Sequence, residues 1–340
     1  MRLADSAQDC DSLRREVIVE LKRAIGFDRW CAPLIDPDTL IAHTGIGETD
    51  HLADMPLLQL HDASLHEVNN GIGLARGHDR AACLSERTGG DLARSKRWER
   101  SLNRYGTGDE LRFVVADERG CWGRFDLWRD RGDRPFSADD VALVRTASVS
   151  IARALRAATV RSRKNGPTAP REAGILLIGP DLEPRGGTPA IWSWFRALNT
   201  ARVPYVGGIP SLVWAVVGRR IAIEHGEEPE RPARIRARAE DGTWAVIEAA
   251  RLDDSHGTLA VSIHAAGLDD GLSVTSRAYG LTRRECDLVK LVVQGLETHA
   301  IASQLCVSHY TVQDHLKSIF DKMAVHSRLE IVSTILGAST

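Results

Sequence analysis

What the sequence lacks narrows it first. No run approaches the roughly 20 consecutive apolar residues that span a bilayer, so no membrane partner is expected. The opening segment MRLADSAQDCDSLRREV is polar and charged, without the apolar core of a secretory leader, and a cytoplasmic protein is expected. Cysteine is sparse, at positions 10, 31, 83, 121, 286 and 306, and no C-x-x-C pair occurs. That removes a zinc ribbon and a redox dithiol and leaves reduced, mostly buried thiols. No G-x-x-x-x-G-K-[ST] occurs, which excludes a P-loop ATPase module, and NGIGLARG (Gly71, Gly73, Gly77) departs from the dinucleotide fingerprint and reads as a turn. His43, His51, His61, His66 and His78 crowd one region, but no two stand at a helical i, i+4 metal spacing. With no nucleophile–base pair, metal set or cofactor loop, neither a cofactor nor enzymatic activity is expected. Net charge is nearly missing as well, at −2.

What is present suffices for two or three domains: 340 residues, 43% of them apolar. Leu13, Val17, Leu21 and Ile25 share one face of a helix over 12–25. WCAPLIDPDTLIAHTGIG reads as two short strands turning at Asp36-Pro37-Asp38. Residues 52–104 read as helices and loops. DELRFVVADERGCWGRFDLWRD is a strand, a tight turn and a second strand. On that second strand Trp122, Arg124, Asp126 and Trp128 share one face, and Gly123, Phe125 and Leu127 the other. The second set is a core face. The first is either solvated or the wall of a polar pocket, and its charges favour solvation. Ser137 caps a long helix whose stripe runs Val141, Val144, Ala147, Ser148, Ile151 and Leu155. That stripe suits a dimer contact or packing on its own sheet equally. A linker at 164–171 follows. Residues 172–266 read as a second α+β domain with a hairpin at Asp241-Gly242, in which Trp192, Trp194 and Trp214 are core candidates. A second linker is expected at 267–280.

The remaining segment, 281–340, reads as four helices. Thr282 and Glu285 form a capping box, Gly295 ends the first helix, and Thr298–Leu305 is a short second one. Cys306-Val307-Ser308 is a turn, and Ser308 caps a longer helix reaching about Met323. Ser327 caps a fourth. Short helix, tight turn, longer helix is helix-turn-helix geometry.

Across LTRRE…G…IA..L…S..TV..H…K…SR, this segment closely resembles the DNA-binding domain of LuxR-type transcriptional regulators. The resemblance implies an interface made by Ser308, Thr311, Val312, Gln313, Asp314 and Lys317. Thr311 is expected on backbone phosphate near the helix start, and Val312 toward base edges or sugar. Gln313 stands where the family often has Lys or Arg. Glutamine can read adenine, Lys317 guanine or phosphate, and Asp314 cytosine N4. His315 is expected to pack within the module, and Arg328 to pair with Glu285. From 277 to 340 there are seven Lys or Arg and six Asp or Glu, so counterion release per module is small. Two modules on a pseudo-palindromic double-stranded DNA operator are therefore expected, and the chain itself as homodimer partner.

Residues 1–163 resemble a GAF-like sensor domain and 172–266 a PAS-like one, so the expected architecture is multidomain: two α+β domains followed by an all-α four-helix LuxR-type module. Such domains imply a small-molecule effector. The residues expected to hold it are Trp30, Phe113, Trp122 and Trp128 as aromatic walls, with Arg124 and Asp126 as polar contacts. The alternative is that both domains serve only for dimerisation or protein contacts.

Overall fold

The computed structural model describes residues 9–161, 171–198, 208–227 and 231–336. Of the linker expected at 164–171, all but Arg171 lies outside them. Two antiparallel five-stranded sheets precede a helical C-terminal bundle.

The first domain opens with α1 (Cys10–Ala24), capped by Asp9, whose carboxylate accepts from the N–H of Asp11 and Ser12. Its sheet comprises β1 (Arg29–Ile35), β2 (Ala42–Glu48), β3 (Ala81–Cys83), β4 (Thr107–Asp117) and β5 (Gly120–Asp130), in the order β2-β1-β5-β4-β3. The short β3 was not legible within the stretch read as helix and loop. Between β2 and β4 lie α2 (Met55–Ala63), α3 (Gly71–Arg76), α4 (Leu84–Thr88) and α5 (Lys96–Arg100). The long α6 (Ala138–Arg161) closes the domain. Its stripe packs with α1 on one face of the sheet, where Leu13, Val17, Val144, Ile151, Leu155, Phe113, Phe125 and Leu127 form a common core.

The second sheet comprises β6 (Gly174–Ile178), β7 (Pro184–Gly187), β8 (Arg234–Arg238), β9 (Trp244–Arg251) and β10 (Leu259–Ala265). Its order, β7-β6-β10-β9-β8, repeats that of the first sheet strand for strand. Helices α7 (Pro189–Leu198) and α8 (Ser211–Glu224) cover it. Trp194 and Trp214 are core as expected, but Trp192 is 40% exposed, because α7 turns that side of the helix outward. Helix α2 of the first domain lies against α8 of the second. At Gly218 of α8 a Cβ would stand 2.7 Å from the Gln59 carbonyl oxygen of α2, so the contact requires glycine there.

Residues 267–280, expected as a linker, form a helix instead, α9 (Leu268–Tyr279), which ends at Gly280 in the left-handed region. The segment looks polar and glycine-rich, yet Leu272, Val274, Thr275 and Ala278 are all buried. Neighbouring domains supply the cover that the segment's own composition does not announce. The C-terminal bundle is α10 (Arg283–Val293), α11 (Thr298–Gln304), α12 (His309–Met323) and α13 (Arg328–Leu336). Among the described residues no helix is long and apolar enough to cross a membrane.

Candidate nucleic-acid interface

In the C-terminal bundle the Thr282–Glu285 capping box forms as read, and the same carboxylate does more. Glu285 is 3% exposed. It accepts from Lys322 Nζ at 2.6 and 2.8 Å and from Ser318 Oγ at 2.7 Å. Burial opposes its charge, but the bonds from Lys322, Ser318 and Thr282 outweigh that and hold its pKa down to about 2. Glu285 thus ties α10 to α12. The expected Arg328–Glu285 pair does not form: Arg328 donates to the Leu296 carbonyl and to Thr298 Oγ1, fastening α13 to the start of α11. Lys322 lies on the helix facing Glu285, and that proximity decides the partner.

Helices α11 and α12 meet at a tight turn in which Cys306 takes φ +54° and Val307 N–H donates to the Ala302 carbonyl. Ser308 caps α12, its Oγ accepting from Thr311 N–H at 3.1 Å and lying 2.9 Å from Thr311 Oγ1. Val312, Leu316, Ile319 and Met323 face inward. Val312 is fully buried in the bundle core, so it cannot lie toward base edges; it anchors the helix from behind. Its packing neighbours come from other helices, which one helix's sequence does not reveal.

The outward face reads Tyr310, Gln313, Asp314, Lys317. The spacing i, i+3, i+4, i+7 puts them in one stripe, and all four are exposed with the sheet domains in place. Ser308 is exposed and Thr311 half-buried at the stripe's start. Tyr310, 77% exposed, was missed by the sequence reading. An aromatic just after a helix cap and in phase with Gln313 was the available signal. His309 lies against His299 of α11, ring centres 4.9 Å apart and planes tilted by 37°, while His315 is half-buried.

The six residues expected to hold an effector do not surround one cavity. Trp30 and Phe113 lie in the core beneath α1 and α6, where Phe113 stacks on Phe125 at 5.0 Å. Arg124, Asp126 and Trp128 lie on the opposite face. They are not solvated, being 3–5% exposed. There they join a closed ionic network. Arg97 grips Glu110 in a fork at 2.5 and 2.6 Å, and Trp128 Nε1 donates to Glu110 at 2.9 Å. Arg112 bridges Asp62 and Asp126, and Arg124 reaches the same two carboxylates. Burial disfavours ionised Asp62, yet Arg112 and Arg124 keep its pKa well below the usual carboxylate range. Three arginines and three carboxylates balance one another in charge, which is how charges come to be buried. The cavity beside them is only about 60 Å³, room for a water or two and not for an organic ligand. Trp122, expected on the face of Arg124, Asp126 and Trp128, instead packs into the core with Trp30 and Phe113, and its edge borders a different, larger cavity. Burial pushes the thiols of Cys31, Cys83 and Cys121 up to about 12, so they are inert.

A short helix, a tight turn and a longer helix with an open polar stripe define a helix-turn-helix DNA-binding domain. More particularly, residues 280–335 match the model for bacterial regulatory proteins of the luxR family. Over 63 residues the chain is 36% identical to the transcriptional activator protein ExaE of Pseudomonas putida, 18% of this chain and 29% of the relative. It is 40% identical over 67 residues to the nitrate/nitrite response regulator protein NarL of Escherichia coli (strain K12), 19% of this chain and 31% of the relative. The chain thus spans less than a third of the length of these curated relatives. Among solved structures, a GAF domain of a two-component sensor histidine kinase from Bacillus halodurans aligns over 45% of this chain and 98% of its own, with TM-score 0.32 and 15% identity. Escherichia coli SdiA aligns over 98% and 92%, with TM-score 0.32 and 8% identity.

Proposed function

We propose that the chain is a sequence-specific, DNA-binding transcriptional regulator. It acts as a homodimer on a pseudo-palindromic operator with half-sites about one helical turn apart. The observation that carries this reading is the stripe Tyr310, Gln313, Asp314 and Lys317, which is open to solvent with the sheet domains present. Gln313 and Lys317 offer donors to base edges, and Asp314 an acceptor. The two sheet domains, read as GAF-like and PAS-like, set how the helix-turn-helix modules are presented, under control of a small effector. The support for such control is α9, which is bonded to both sheet domains and leads directly into α10. Its Arg277 reaches Asp38 at 2.6 Å, its Asp270 meets Arg234 at 2.6 Å, and its Ala278 carbonyl accepts from Arg156 at 2.9 Å.

The test is selection of bound duplexes from a randomised pool by the full-length protein. Enrichment of one two-fold-related motif supports the proposal, and a pool that stays random after successive rounds contradicts it.

A further inference from the structure

A second cavity, about 270 Å³, opens where the first domain, the second domain and α9 meet. That is just under the roughly 300–1,000 Å³ of ordinary small-molecule sites. Two indoles border it, Trp122 from β5 and Trp244 from β9, and Val274 of α9 completes the wall. The His43 imidazole borders it as well; burial lowers its pKa to about 4, so it is neutral near pH 7, and its Nδ1 is already within 3.0 Å of Thr44 Oγ1. Four acidic and three basic side chains line the remainder and nearly cancel. One of the acids, Asp36, is already bound by Arg236. Two bordering indoles, neutral hydrogen-bonding groups and balanced charge suit a flat, uncharged ring compound and disfavour a phosphate or a polycarboxylate.

Both sides of this cavity are wired to α9. On one side, Asp36 holds Arg236, Arg236 also reaches Asp38 at 2.6 Å, and Asp38 accepts from Ser273 and Arg277 of α9. On the other, Trp122 Nε1 donates to Asp117 at 3.0 Å, Asp117 accepts from Arg156 at 2.7 Å, and Arg156 donates to the Ala278 carbonyl. We propose that this junction is the effector site, that its ligand is a small uncharged planar aromatic molecule with hydrogen-bonding groups, and that occupancy biases the setting of α9. The last step rests on the regulatory reading above, whereas the binding step does not.

The experiment uses the full-length protein and three probes, indole, benzamide and coumarin, followed by saturation-transfer NMR and by hydrogen exchange in α9. At least one probe binds saturably. Trp244→Ala, a change at a half-buried position, weakens it tenfold or more without altering the fold, and Val274→Phe excludes coumarin before benzamide. Bound probe changes exchange in α9. No saturable binding, or equal binding by Trp244→Ala, overturns the site; binding with unaltered α9 exchange overturns the coupling. Failure to select any duplex sinks the regulatory reading but leaves the probe result intact, so the two failures are distinguishable.

Discussion

Arg236 of the second domain grips Asp36 of the first through three hydrogen bonds, from its backbone N–H at 3.0 Å, Nε at 2.9 Å and Nη2 at 2.8 Å. Asp36 sits at the turn between β1 and β2, and its side chain has no exposed surface. The same guanidinium reaches Asp38, to which α9 is bonded. One side chain therefore joins all three parts of the chain.

Removing that cation leaves a buried carboxylate without its partner. Arg236→Met should cost about 3–5 kcal/mol of stability and separate the unfolding of the two sheet domains. Urea unfolding followed by two probes, tryptophan fluorescence and far-UV dichroism, checks it. A single transition with a loss under about 1 kcal/mol, the range of a surface pair, would show that Arg236 is not structural.

Glu285 has a folded pKa of about 2, below its ordinary 4.5. A depressed carboxylate pKa means that its stabilisation is fully present above pH 4.5 and is lost as pH falls from 4.5 toward 2. Glu285→Gln should destabilise the C-terminal bundle by about 1–3 kcal/mol at pH 7, and the gap between variant and parent should close on acidification through that window. Unfolding of both proteins at pH 7 and at pH 3 measures it; a gap that stays constant refutes the role given to Lys322 and Ser318.

His43 gives the same sign in a higher pH window. Burial lowers its pKa from 6.5 to about 4, so the unfolded chain takes up a proton that the folded chain refuses. Stability is unaffected above pH 6.5 and falls as pH drops from 6.5 to 4. His43→Gln should flatten that part of the profile, as read from melting temperatures at pH 7.5 and pH 5. If parent and variant lose the same amount over that interval, His43 is not the group responsible.

Val312 supports the reading helix from behind. Val312→Ala should lower stability by roughly 2 kcal/mol and leave base preference unaltered. Duplex selection with the variant, at a temperature where it is folded, gives the check; a changed motif would return Val312 to the DNA surface.

The sequence disclosed most where structure is local. The cap at Asp9 lies beyond the helix start read at Ser12, but the face Leu13–Val17–Leu21, the turn at Asp36-Pro37-Asp38, the capping box and the Ser308 cap depend on neighbours a few residues away, and all are present. What stayed hidden depends on partners far along the chain. Arg124 and Asp126 looked solvated because their long-range partners, Asp62 for Arg124 and Arg112 for Asp126, lie 62 and 14 positions away. Segment 267–280 looked like a linker because its cover comes from other domains. Val312 matched a family position, but depth along a helix radius is set by packing, and only Tyr310 of the exposed stripe had gone unread.

The central claim is that exposed side chains of α12 touch base edges in a major groove, and Gln313 tests it most directly. Duplex selection with full-length parent and Gln313→Ala, run side by side, should give two motifs of equal half-site spacing that differ at one position in each half. Discrimination there should fall by about 1–3 kcal/mol. The same motif from both proteins, with only affinity changed, would place Gln313 away from the bases and contradict the account.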